Sequence, residues 1–360
     1  MSISNLVKRA SGVCAAVAVF AGCSSGGLQS ALGPSGQIQQ NAAQYDLNAQ
    51  PLARLLTPSR PTGSMHSDRQ RSWMSHDANN SLLLYVSDQQ NGVVDVYTNF
   101  YGRNALVGQL TGFAAPWGEC ADKAGDVFIV DYTLQVIVEY AHAGTTPIQT
   151  LSDPSGSPIG CSVDPTTGNL AVSNDLGNSF PNPADLLIFQ GATGTPTHYA
   201  DPNVQSFFPP GYDNKGNLFV EGSCVSGCNT ELVELPAGSS TFMNISLRPT
   251  LYAAAGVQWD GKYLAVGDQA FRGKLTSGIY QVQVSGSTGK VISSMKLASG
   301  CSSVHSDVIQ FWVQGTTVLG GNGFCHNNFS YWNYPGGGAP RKTMPTQIAP
   351  YTPSGETVSR

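Results

Sequence analysis

LLLYVSD, residues 82–88, is a short apolar run that closes on an acid, and its pattern returns five times along the chain. The later copies are GDVFIVD (125–131), GNLAVSN (168–174), GNLFVEG (216–222), GKYLAVGD (261–268) and GTTVLGGN (315–322). Their last residues are Asp88, Asp131, Asn174, Gly222, Asp268 and Asn322, spaced by 43, 43, 48, 46 and 54 positions. A period in the forties is the length of one small four-stranded sheet with its turns, repeated radially.

Working outward from each run, a turn leads into a second alternating segment: VVDVYT (93–98), VIVEYA (136–141), DLLIFQ (185–190), ELVELP (231–236), IYQVQV (279–284) and FSYWNY (329–334). Period-two alternation bounded by Gly and Pro is the signature of strands joined as hairpins. A Gly-rich turn and a further strand follow in most copies. Ahead of the runs lies an innermost strand closing on Asp122, Asp164, Asp213 or Asp260, with Gln314 in that slot of the last copy. The expected architecture is all-β, a six-bladed β-propeller of four-stranded antiparallel blades over residues 72–345. All four strands of the first blade fit within residues 72–110. Ring closure then falls to packing between the first and last blades, and residues 346–360 are left as a C-terminal tail.

Composition agrees. Gly 41 and Pro 22 suit a chain of many turns, and charged residues make up only 11%. The net charge is −5, becoming −7 without residues 1–22, and no basic run interrupts it. Nucleic acid is therefore not an expected partner, because neutralising phosphates takes clustered Lys and Arg.

The N-terminus reads as an export signal: Lys8 and Arg9 precede an apolar stretch, Val13–Ala21, too short to span a bilayer. FAGC at residues 20–23 resembles the lipobox of bacterial lipoproteins, with Phe20 where Leu is usual. The resemblance implies a lipid on Cys23, a chain exported to the bacterial cell envelope and anchored to a membrane; ordinary signal cleavage nearby is the alternative. Residues 24–71, rich in Ser, Gly, Gln, Ala and Pro, read as a flexible tether.

Six further cysteines remain besides Cys14 and Cys23, an even number suited to disulfides in an exported chain. Cys120 and Cys161 stand two and three residues before Asp122 and Asp164 on neighbouring inner strands. That one-residue offset turns them to opposite faces of their own blades, and so toward each other. Cys224 and Cys228 flank a hairpin turn, CVSGC, that they can close. Cys301 and Cys325 fall in loops at one propeller end and form the third expected pair. Zinc is the alternative use of these thiols, without CxxC or HxxxH spacing to support it.

The pattern P-x-G…D…GNLxV(S/D)…(V/L)xVY, over residues of about 72–345, resembles NHL-repeat propellers and the wider group of YncE-like and gluconolactonase-like proteins. The resemblance implies the fold and a loop-bearing axial face; propellers of this kind serve as enzymes, receptors and scaffolds alike. A gluconolactonase-like activity would need several oxygen ligands around a divalent cation. Near the axis the sequence offers one carboxylate, Glu119.

Candidate ligand-binding residues are Trp117, Glu119, Tyr132, Asp268, Phe271, His305 and His326. Exposed aromatics such as Trp117, Tyr132, Phe180, Phe207, Phe208 and Phe271 can stack on sugars or anchor a peptide, or equally pack between blades. Asp88, Asp131, Asn174, Asp268 and Asn322 can form a ligand ring or, the stronger reading, hydrogen-bond their own turns. His305, Asp307 and His326 could hold a transition metal. No GxSxG, HExxH or Walker motif is present. The reading is a monomeric, non-enzymatic, lipid-anchored propeller that binds an envelope protein, peptide or glycan, without a cofactor. The alternative is a metal-dependent hydrolase or lactonase using Ca or Zn.

Overall fold

Each of the six runs becomes the second strand of its own sheet: Leu83–Asp88, Val127–Asp131, Leu170–Asn174, Leu218–Cys224, Leu264–Asp268 and Thr317–Asn322. The computed structural model describes residues 71–98, 104–175, 184–225, 227–274, 276–298, 308–322, 328–345 and 353–360. Six sheets stand as the blades of a six-bladed β-propeller, almost without helix. Blades 2, 3 and 6 have four strands each and the others five. The fifth is an outer strand in blade 1 (Trp73–Met74) and in blade 5, where Ser246–Arg248 runs parallel to Thr288–Leu297. In blade 4 the inner strand is broken into Val204–Phe207 and Gly211–Tyr212, both paired with Leu218–Cys224. Pro209 and Pro210 fall at the break, where a residue without an N–H cannot serve the ladder.

Alternation explains why the blades stand side by side. In the second strand of blade 2, Val127 and Ile129 join one apolar cluster with Leu83, Tyr85, Val94 and Val96 of blade 1. Phe128 and Val130, on the opposite face, join another with Leu170, Val172 and Leu187 of blade 3. The other four clusters fill the remaining gaps in the same manner, down to Leu84, Val86 and Tyr97 of blade 1 against Leu319, Phe329 and Tyr331 of blade 6. A strand buried on both faces needs an unbroken apolar run, which is what the repeat supplies.

Closure differs from the expectation. Pro353–Ser359 is no tail: it is the inner strand of blade 1, paired antiparallel with Leu83–Asp88, and every residue in it is buried. The first blade therefore takes four strands from residues 73–111 and its innermost from the chain's end. Hydrogen bonds close the ring, where packing alone was expected.

The closing strand is also stitched sideways. Ser354 Oγ donates to the Pro116 carbonyl at 3.0 Å, and Ser359 Oγ donates to the Gly125 carbonyl, both in blade 2. The His142 ring meets Ser359 Oγ at 2.6 Å. Cys120 and Cys161 are disulfide-bonded across the gap between blades 2 and 3, with Cα atoms 5.6 Å apart. Cys224 and Cys228 form a second disulfide that closes the hairpin turn of blade 4. Cys301 and Cys325 lie outside the described residues, as do residues 1–70 with Cys23.

Candidate functional site at the axial hub and loop face

The inner strands converge on the axis through one repeat position: Gly355 in blade 1, Gly118 in blade 2, Gly160 in blade 3, Gly211 in blade 4, Gly256 in blade 5 and Gln310 in blade 6. At this level the strands touch backbone to backbone. A Cβ on Gly118 would lie 2.7 Å from Gly160 Cα, and one on Gly211 would lie 2.5 Å from the Val257 carbonyl oxygen. Only glycine allows such an approach. The backbones also bond directly, Gly256 N–H to the Ile309 carbonyl at 2.6 Å and Val257 N–H to that of Pro209 at 3.0 Å.

Where blade 6 lacks the glycine, its side chain fills the space. The Gln310 amide donates from Nε2 to the Glu119 carbonyl at 2.6 Å and to that of Glu356 at 3.3 Å. Its Oε1 accepts from Glu119 N–H at 3.2 Å. One amide thus ties blade 6 to blades 1 and 2 across the axis.

The residue after the axial position points back into the preceding gap: Glu356, Glu119, Cys161, Tyr212, Val257 and Phe311. It meets a second-strand residue of the previous blade, and the pair is complementary. Glu119 accepts from Ser87 Oγ at 2.6 Å. Cys161 reaches the Phe128 carbonyl in blade 2. Phe311 lies against Gly267, and Glu356 is near Gly321. In the gap between blades 4 and 5 the order is reversed: Glu221, on the second strand, accepts from Ala255 N–H at 3.2 Å.

Three gaps therefore hold a buried carboxyl. Burial pushes Glu119 well above the ordinary 4.5, and the Ser87 hydrogen bond only partly offsets this. Burial and then the charge of Asp268 raise Glu221. Burial and then the charge of Glu119 raise Glu356, and a backbone hydrogen bond at Gly321 only partly offsets this. In such surroundings the neutral form is favoured, because the charged form loses its water.

The expected site residues can now be placed. Trp117 is buried, its ring centroid 5.5 Å from that of half-buried Tyr132. Phe271 is buried on Tyr280, and Phe207 and Phe208 are buried as well. These aromatics pack within and between blades and are not a displayed platform. Glu119 is inside the hub and not on its rim. Asp268 accepts from Ala253 N–H at 3.1 Å and Ala270 N–H at 3.0 Å, while burial pushes its carboxyl up to about 6. Asp131 accepts in the same way from the N–H groups of Ala114, Ala115, Thr133 and Leu134, and Asn174 from that of Ser157. The Asp/Asn ring is a turn-closing device. His305, Asp307, His326 and Phe180 lie outside the described residues.

Sequence reasoning missed Glu356, Glu221 and Gln310. For Glu356 the signal was present: Pro353-Ser354-Gly355-Glu356 repeats Pro116-Trp117-Gly118-Glu119.

The two ends of the propeller differ. The longest connections between successive strands run from Asn174 to Asp185 and from Leu297 to Phe311, and both leave from the end that carries the Asp/Asn ring. At that same end the turn tips expose Leu134 (50%) and Val225 (54%).

Fold and hub define the class, a six-bladed β-propeller closed by its C-terminal strand. No family model and no curated protein matches the chain. Among solved structures it is similar to a chain of a nidogen/laminin complex, with 12% identity and a TM-score of 0.59, covering 78% of this chain and 98% of that one. It is also similar to a protein of unknown function from Bacteroides caccae, with 12% identity and a TM-score of 0.54, covering 78% and 100%. At that identity the likeness is one of fold.

Proposed function

We propose that this chain is a non-enzymatic binding module of the bacterial cell envelope, lipid-anchored at Cys23, which takes a protein, peptide or glycan on the end bearing the Asp/Asn ring. The observation that carries the reading is the difference between the ends. The two longest connections and the exposed aliphatic tips Leu134 and Val225 share one end, and exposed apolar side chains held on rigid turns are suited to interaction. The hub beneath is filled by backbone and by the Gln310 side chain. Glu119, the carboxylate a metal-dependent hydrolase would have used near the axis, is buried against Ser87.

The test uses the full chain, immobilised and offered a glycan array and envelope proteins in parallel. A specific ligand should lose binding with Leu134→Asp and Val225→Asp and keep it with Lys262→Glu at the opposite end. Equal binding by all three variants would remove this end as the site. Labelling with a fatty-acid analogue, present in the wild type and lost in Cys23→Ser, tests the anchor separately.

A further inference from the structure

The hairpin turn of blade 4 holds a disulfide that its backbone does not require. The ladder between Leu218–Cys224 and Thr230–Leu235 is complete to the pair Ser223 and Thr230. Beyond it, Cys224 N–H donates to the Asn229 carbonyl at 3.2 Å, and Val225 N–H donates to that of Asn203 at 2.8 Å. The first of these bonds spans the turn beside the two cysteines, whose Cα atoms are 5.7 Å apart. Cys120–Cys161 is different, since it ties two blades over a separation of 41 residues with both partners buried.

The two sulfurs of the turn are unequal. Cys224 is 2% exposed, while Cys228 is half-buried beside exposed Val225 and Gly227. A soluble thiol therefore meets Cys228 first. A carboxylate is already in place: Glu231 Oε1 lies 3.4 Å from Cys228 Sγ. Its Oε2 is buried and has no hydrogen-bond partner among the described residues. The ligand atoms of Cys224, Cys228 and Glu231 all lie within 4.8 Å of one another.

We propose that this turn is a redox-gated site for a thiophilic divalent cation of the zinc class. In the oxidised state the disulfide occupies both sulfurs and the site is shut. A thiolate, from a small thiol or a thiol oxidoreductase, attacks Cys228 Sγ; the bond to Cys224 breaks, and Cys224 leaves as a thiolate that takes a proton from water. A second thiol releases the first as an external disulfide, so two thiols are oxidised for each protein disulfide reduced. The cation then displaces two protons from Cys224 and Cys228 and takes a carboxylate oxygen of Glu231 as its third ligand. Two sulfurs and one oxygen match the open tetrahedral arrangement of zinc, with a fourth position for water or a partner's side chain. Thiolates favour zinc-class cations over calcium. Tetrahedral geometry at a Zn–S distance of about 2.3 Å sets the sulfurs about 3.8 Å apart, which side-chain rotation supplies while the backbone bonds hold. The inference does not depend on the binding function proposed above.

The experiment treats the full purified chain with a small thiol, maps free cysteines by alkylation and mass spectrometry, and titrates Co²⁺ while following thiolate-to-cobalt absorption. Cys224 and Cys228 should open while Cys120 and Cys161 stay joined. One equivalent of Co²⁺ should bind after reduction and none before, and Zn²⁺ should displace it. Cys224→Ser and Cys228→Ser should abolish the band. Glu231→Gln, which keeps the disulfide and hence the oxidised fold, should weaken binding by roughly tenfold or more, at least the loss that even an outer-shell partner causes. The proposal fails if the folded protein resists the thiol at this turn, or if the reduced wild type gives no band. It fails equally if the band survives in the cysteine variants or is unchanged in Glu231→Gln.

Discussion

The gap between blades 2 and 3 and the gap between blades 6 and 1 place the same repeat residue in different chemistry. In the first that residue is Cys161, bonded covalently to Cys120 amid Phe128, Val130 and Leu170. In the second it is Glu356, a carboxyl raised by burial and then by Glu119, facing Gly321. The first seal is indifferent to protons, whereas burial at the second favours the neutral carboxyl. One structural slot thus accepts either a cross-link or a buried acid, because a disulfide carries no charge and burial favours the neutral form of the acid.

The largest way to break this comparison is to delete residues 353–360. Blade 1 then loses its inner strand, the carboxyl of Glu356 and the Ser354 and Ser359 stitches together. The outcome expected is loss of the cooperative thermal transition; a deletion variant that melts like the wild type would show that the ring is held elsewhere.

Next is the covalent seal. Replacing Cys120 and Cys161 together with Ser should cost about 4 kcal/mol in urea unfolding, the chain-entropy value for a loop of some forty residues. A loss below about 1 kcal/mol would mean that packing alone seals this gap.

Gly118→Ala tests the hub on which both gaps converge. Its methyl would press on the Ile159 carbonyl and Gly160 Cα, both backbone and unable to swing aside. A loss of about 3 kcal/mol is expected, the upper part of the range for overpacking. Unchanged stability would show that the inner strands can move apart.

The subtlest comparison is with pH. Glu119, Glu221 and Glu356 are raised in the folded chain, so it binds more protons than the unfolded one. Their contribution is complete below the ordinary value of 4.5 and is lost as pH climbs through the raised folded values. Glu356→Gln keeps the shape and cannot ionise. Its melting temperature should therefore fall less than the wild type's between acid and alkaline buffer, while Cys120→Ser/Cys161→Ser should leave that slope unchanged. Parallel slopes in Glu356→Gln and the wild type would sink the protonation account.

The blades were legible because their second strands are buried on both faces and so must be apolar throughout. The closing strand was not, since PSGETVS is almost entirely polar. Its Ser and Gly residues are buried only because blades 2 and 6 supply the Pro116 and Gly125 carbonyls and the Gln310 amide, partners distant in the chain. Trp117 illustrates the second limit. It stands at the edge of a loop in sequence, yet strand pairing begins at Pro116, and the register shift between Pro116 and Glu119 leaves its ring packed with Cys120, Ile159 and Cys161 and against Tyr132. A shift of one residue in strand onset decides between displayed and packed. Gln310 could be found only by aligning the inner strands, because a lone Gln carries no signature of its own.

Because the innermost strand of the first blade follows every other strand in the sequence, the circle cannot be completed until residues 353–359 have been made. Until then blade 1 presents an unpaired edge along Leu83–Asp88. A chain cut short just before Pro353 would therefore be felt some 270 residues earlier, in the blade that was made first.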